Sequence, residues 1–99
     1  MAADLILAPE VEGDIAAAYD WYESRRVGLG EDFLSSVEAA LEGIRRRPDI
    51  HSIIHEDYRR ALLRRFPYAI FYRYANSRVT VYSVFHTSRD PLEWRMRLP

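Results

Sequence analysis

The stretch Arg59–His86, RRALLRRFPYAIFYRYANSRVTVYSVFH, constrains the fold more than any other part of the chain. Val, Ile, Phe and Tyr fill it, and such residues suit a pleated, packed surface. It predicts three consecutive strands, Arg59–Phe66, Tyr68–Tyr74 and Val79–His86. Pro67 lacks the N–H that a ladder needs, so it stands at a strand's start or edge rather than inside one. Ala75-Asn76-Ser77-Arg78 is a polar turn and makes the last two strands an antiparallel hairpin. Alternation puts Ile70, Tyr72 and Tyr74 on one face and Ala69, Phe71 and Arg73 on the other. In the return strand, Thr80, Tyr82, Val84 and His86 oppose Val79, Val81, Ser83 and Phe85. Both faces are therefore apolar, whereas a sheet with one wet face shows cleaner polar alternation. Each face needs a cover.

The preceding residues supply one. Asp4–Leu7 reads as a short first strand. Pro9, followed by Glu10, Glu12 and Asp14, opens a helix, since proline suits the first turn and acids suit the positive end of the dipole. Val11, Ile15, Ala18, Tyr19 and Tyr22 follow helical spacing and form its buried stripe, while Trp21 lies off it and faces a partner or the second helix. Gly28 and Gly30 end this helix. A second runs from Glu31 to Arg47, with Phe33, Leu34, Val37, Leu41 and Ile44 on one face, and Pro48 stops it. Arg45, Arg46 and Arg47 stand at its negative end and read as a solvated terminus. Ile50–Asp57 reads as a loop or a poorly formed strand. Thr87–Pro99 is too short to cover the second face, although Trp94 and Leu98 can touch part of it.

The expectation is one α+β domain over residues 1–99: a short N-terminal strand and a two-helix hairpin packed on one face of a mostly antiparallel three- to four-stranded sheet. Its other face is half bare, and an exposed apolar area rimmed by arginine marks a protein-binding surface.

Composition narrows the chemistry. The chain has no cysteine, which excludes disulfides and cysteine-ligated zinc. His51 and His55 are four apart without the glutamate of a zincin motif, so no metal and no cofactor are expected. No apolar run reaches membrane-spanning length and no signal-peptide pattern opens the sequence, so a soluble, cytoplasmic protein is expected. All 14 basic side chains are arginine, which removes any lysine general base. Residues 1–44 hold ten acids against two arginines, and residues 45–99 hold twelve arginines against five acids. Either the surface is bipolar, with one anion-attracting side, or the halves neutralise each other across the fold.

Four segments, WYESRRVGLGEDF (Trp21–Phe33), RRRP (Arg45–Pro48), RRFPYAIFY (Arg64–Tyr72) and VFHTSRDPLEW (Val84–Trp94), in this order and spacing resemble the RelE/ParE superfamily of type II toxin–antitoxin toxins, also called plasmid stabilisation proteins. The resemblance covers nearly the whole chain. It implies the same fold, and a toxin held inactive in a hetero-oligomer by a cognate antitoxin wrapped over the open sheet and helices. Trp21, Phe71, Tyr72, Val81 and Tyr82 are the expected antitoxin contacts.

The superfamily divides by activity. RelE-like members cut mRNA on the ribosome, with an arginine directly after the aromatic of the penultimate strand. Ala69 occupies that position here, and the preceding strand, where some nucleases alternate lysines, offers Arg60 and Leu62. Losing one charge-stabilising donor costs about 3–4 kcal/mol of transition-state stabilisation. A nuclease would need a substitute set from His86, Arg89, Arg65 and Arg60. The other reading of His86 is a strand-end residue that orients the loop after it, and of Arg89 a loop-fixing ion pair. Tyr68, Tyr72 and Tyr82 read as sheet packing rather than base-stacking platforms. ParE-like members inhibit by binding, and for them the resemblance implies DNA gyrase as target, with Arg64, Arg65, Arg89, Trp94 and Arg95 as the contact surface. A third possibility is a toxin fold that only partners the antitoxin.

Overall fold

Two residues after Pro9, helix α1 (Val11–Arg25) begins, with Glu12 and Asp14 in its first turn. It buries Val11, Ala18 and Tyr22, three members of the predicted stripe. The turn that follows is shorter than the sequence implied. Helix α1 closes at Arg26, which is extended, and Gly28, at φ 91°, a conformation that suits glycine, caps the start of the next helix. The Glu23 carboxylate accepts hydrogen bonds from the N–H groups of Gly28 (3.0 Å) and Gly30 (2.9 Å). With those otherwise orphaned donors satisfied, α2 (Leu29–Arg46) starts two residues before Glu31. A side chain at Gly30 would meet Glu23 Oε1 at 2.9 Å and the Tyr19 carbonyl at 3.0 Å, so the two helices cross closely there.

In the computed structural model, which describes residues 2–99, the helices lie on a sheet of five strands. These are β1 (Asp4–Leu7), β2 (Ile53–His55), β3 (Tyr58–Leu62), β4 (Tyr68–Ala75) and β5 (Arg78–His86), ordered β1-β5-β4-β3-β2. All neighbours are antiparallel except β1 and β5. The strand count exceeds the predicted three to four because Ile53–His55, read as loop or weak strand, pairs with β3 through Ile53↔Arg59 and His55↔Tyr58. β3 in turn stops at Leu62 rather than Phe66. Arg65 takes φ 71°, and the chain swings Phe66 off the sheet into an aromatic cluster with Phe33 and Tyr22 at 5.4 and 4.9 Å.

One extra residue corrects the predicted alternation. Phe71 pairs with Ser83 and Tyr72 with Val81, which leaves Tyr82 as a bulge. Past the bulge the parity of β5 inverts. Val79, Val81 and Val84 all join the helix-side core with Ile70 and Tyr72, while Phe85 joins Ala69 and Phe71 on the opposite face. Tyr72 is fully buried and donates its hydroxyl to the Pro48 carbonyl at 2.7 Å, and burial pushes the phenol up to about 12.

The second face is better covered than expected. A short helix, α3 (Pro91–Arg95), begins where the Asp90 carboxylate accepts from the Leu92 N–H at 2.9 Å. It lays Trp94 flat on Phe71, with ring centroids 4.8 Å apart and planes 15° from parallel. The Arg89 guanidinium stacks 3.8 Å over the Phe85 ring and that of Arg97 at 4.8 Å. Five residues suffice because a single indole carries the contact area of several aliphatic side chains.

Candidate functional site

The side chains expected to stand open in the sheet do not. Phe71, Tyr72 and Val81 are 5 %, 0 % and 0 % exposed, enclosed by the chain's own α3 and helices. Tyr82 is half-buried and meets Tyr58 edge to face at 5.6 Å. Of the five expected antitoxin contacts, Trp21 alone is fully open, at 52 %, with the Arg25 guanidinium 4.3 Å above its ring.

Trp21 borders a cleft of about 540 Å³ between α1 and the outer part of β5, where Gly13 and Ala17 of α1 leave room beside Tyr68, Val84 and His86. β1 pairs with β5 only as far as Val81, so beyond it the strand has a free edge. That edge is plugged by side chains. Val84 N–H donates to Asp14 at 3.0 Å, and Arg97 donates to the Tyr82 carbonyl at 3.2 Å and to Asp14 at 2.6 Å. Asp14 and Arg97 were not singled out from the sequence. The available signal is that Asp14 stands on the buried stripe of α1, three residues after Val11 and four before Ala18, where a carboxylate demands a partner.

A second cleft, of about 520 Å³, opens between α2 and β3. Ser35, Ser36, Ala39 and Ala40 form its helical wall, and Ala61, Leu62, Arg64 and Arg65 its strand side. Ser36 Oγ donates to the Arg64 carbonyl at 2.9 Å and fixes the chain as it leaves β3. His51 also lines this cleft, and burial with the nearby Arg59 charge holds its imidazole below the usual histidine range.

The substitute nuclease set is dispersed. His86 and Arg89 line the first cleft and Arg65 the second. Arg60 pairs across the ladder with Phe71, which puts it on the face turned from the helices. His86 Nδ1 meets the Ser88 N–H at 3.0 Å and Ser88 Oγ at 2.8 Å, so the ring orients the loop. Arg89 pairs with Glu93 at 2.7 Å rather than with Asp90, which caps α3. Arg65 lies 3.7 Å from Asp32. Ala69, 1 % exposed, packs in the Phe71–Phe85–Trp94 cluster, so an arginine there would have to displace the indole before reaching any substrate.

Of the predicted target contacts, Arg64, Arg65 and Arg95 are exposed, whereas Trp94 is 8 % exposed and Arg89 is held by Phe85 and Glu93. Among the described residues no cluster of three or more His, Asp or Glu has metal-binding geometry, and no helix is long and apolar enough to cross a membrane.

Residues 5–91 match a family model described as the ParE toxin of the type II toxin–antitoxin system parDE. The fold is similar to a solved structure, the chromosomal ParDE TA system from P. aeruginosa, with a TM-score of 0.65 and 16 % identity, covering 86 % of this chain and 96 % of that one. At that identity the likeness is one of fold. No curated protein matches.

Proposed function

Because the chain belongs to the ParE toxin family of type II toxin–antitoxin systems, we propose that it arrests growth by binding DNA gyrase and is neutralised by a cognate antitoxin seated in the Trp21 cleft. The observation that carries binding over cleavage is the state of His86. Its Nδ1 is engaged by Ser88, and of the arginines that would have to work with it only Arg89 shares its cleft, where Glu93 holds it at 2.7 Å, while Arg65 lines the other cleft and Arg60 stands on the other face. A general acid–base pair must converge on one reacting group, within hydrogen-bond reach of the proton it moves.

Gyrase is the family expectation. Arg64, Arg65 and Arg95 are the exposed cations offered to it, with Arg89 also exposed but tied to Glu93, while Trp94 supports that surface from within. Expression without antitoxin is expected to stop growth, and purified protein is expected to inhibit supercoiling by gyrase in a dose-dependent way. In-frame cleavage of mRNA on ribosomes with supercoiling intact would overturn this reading in favour of a nuclease. Normal growth would leave only an antitoxin-binding scaffold.

On the antitoxin side, an exposed tryptophan beside small residues has the form of an interface anchor. Trp21→Ala is expected to weaken antitoxin binding by about 30-fold, the effect of about 2 kcal/mol typical of such an anchor. Calorimetry on the purified pair checks it, and unchanged affinity would remove the cleft from the interface.

A further inference from the structure

The turn end of the β4–β5 hairpin carries a small polar cleft, of about 260 Å³, that shares no residue with the two clefts beside the helices. Arg73, Ala75, Asn76, Arg78, Thr80 and Tyr82 line it, two cations and no acid. Alternation from Phe71 puts Arg73 and Ala75 on the sheet face turned from the helices, and the register sets Thr80 opposite Arg73 and Arg78 opposite Ala75. The two arginines are therefore diagonal neighbours, about 7–8 Å apart along the backbone and within reach of each other's long side chains. Like charges so placed repel, and the single methyl of Ala75 leaves the space between them open. Arg73 Nε donates to the Asp57 carboxylate at 2.8 Å, which holds the guanidinium and leaves its two terminal nitrogens without a partner among the described residues. Arg78 is exposed and pairs with no carboxylate among them. Even Asp4, its register neighbour on β1, stays beyond ion-pair distance. The hairpin end is well fixed. Asn76 and Ser77, at φ 54° and 60°, make the tight two-residue turn, and the Ser77 carbonyl accepts the Asp4 N–H at 3.1 Å.

We propose that this cleft binds a phosphate monoester, with the anionic head held between Arg73 and Arg78. Charge is the first reason. A monoester carries close to two negative charges at neutral pH, and the lining offers two cations. Donor geometry is the second. Guanidinium groups from two strands supply more N–H donors than the two oxygens of a carboxylate can accept, whereas a monoester presents three terminal oxygens. The hydroxyls of Thr80 and Tyr82 stand in the same lining. Size sets the limit. The cleft falls below the roughly 300 Å³ from which sites enclose a whole small-molecule ligand, so the head is enclosed and the organic part stays in solvent. A nucleic-acid backbone fits less well, since it needs cations repeating along its path. Beyond Tyr82 this face is closed by Phe71, Phe85 and Trp94.

The test titrates the intact, isotope-labelled chain with adenosine 5′-monophosphate and follows it by NMR. Adenosine, 3′,5′-cyclic AMP and a single-stranded DNA oligonucleotide without a terminal phosphate are the comparisons. The monophosphate is expected to shift the amides of Arg73, Arg78 and Thr80 saturably, and inorganic phosphate to move the same set. Adenosine should leave them in place, and the cyclic diester, with one charge and two terminal oxygens, should bind several-fold more weakly. Arg78→Gln keeps the backbone pairing and is expected to weaken binding about tenfold, the loss of one charge-assisted contact. Ala75→Leu fills the space between the arginines and should weaken binding as much while every charge is kept, which separates a built cleft from general attraction to a basic surface. Absence of saturable shifts, equal shifts at Arg64 and Arg95, tighter binding of the oligonucleotide, or unchanged affinity in either variant would overturn the proposal. None of these residues belongs to the Trp21 cleft or to the surface offered to gyrase, so the outcome stands apart from growth arrest.

Discussion

Trp94→Ala is expected to lower folding stability by about 3–5 kcal/mol, the range for removing a buried aromatic. Trp94 is 8 % exposed, stacks on Phe71, and meets His55 edge to face at 6.0 Å. Its loss would uncover Phe71, Ala69 and Phe85 together, since these form one cluster with Ile54 and Leu98 at its margin. For a domain of this size each kcal/mol shifts Tm by about 4–8 °C, so a fall of at least about 12 °C is expected in a thermal melt followed by circular dichroism. A small domain has only about 5–15 kcal/mol in total, and the variant would sit near the limit of folding. If Trp94 served only to touch a partner, the melt would not move. That result would detach α3 from the fold.

Arg97→Ala is expected to cost about 2–3 kcal/mol, because it breaks a part-buried pair and leaves the enclosed carboxylate with one donor fewer. The Asp14 side chain is 7 % exposed and that of Arg97 is 25 %. Without the guanidinium, the carboxylate keeps a single donor, the Val84 N–H, and the Tyr82 carbonyl loses Arg97 as well. Asp14→Asn should cost less, since the amide oxygen still accepts from Val84 and Arg97 lies close enough to water to turn outward. Replacing both by apolar residues of similar volume should recover most of the loss. Urea unfolding of the three variants separates these cases. Arg97→Ala within about 0.5 kcal/mol of the parent, the usual range for a surface change, would show that the pair is ornamental.

These two side chains also mark where sequence reading succeeded and where it stopped. The helices and the hairpin were legible because their periods are local: Val11, Ala18 and Tyr22 recur at helical spacing, and β4 and β5 are rich in β-formers on both sides of a polar turn. The need to cover a second face was inferred correctly from its apolar side chains, and its being left half bare was inferred incorrectly from the shortness of Thr87–Pro99. Arginine counts as polar in a pattern, yet the guanidinium groups of Arg89 and Arg97 lie 3.8 and 4.8 Å from the centre of the Phe85 ring and help to cover it. The bulge at Tyr82 has no glycine to announce it, so the inversion that sends Val84 inward was not readable. Trp21 was legible as a side chain outside the core because it breaks the stripe of α1.

The charge asymmetry resolved partly into internal pairing. Asp14 with Arg97 and Asp32 with Arg65 join the acidic half to the basic one, whereas Arg60 and Arg64 remain unmatched among the described residues. Part of the polar segregation visible along the chain thus holds its two halves together, and the rest stays on the surface.

Asp14 and Arg97 stand 83 positions apart. Contacts between residues so far apart reward the chain only after the loop between them has been closed. The rim of β5 is therefore sealed by one of the last long-range contacts to form, and an unfolding event that frees the C-terminal segment opens that rim first.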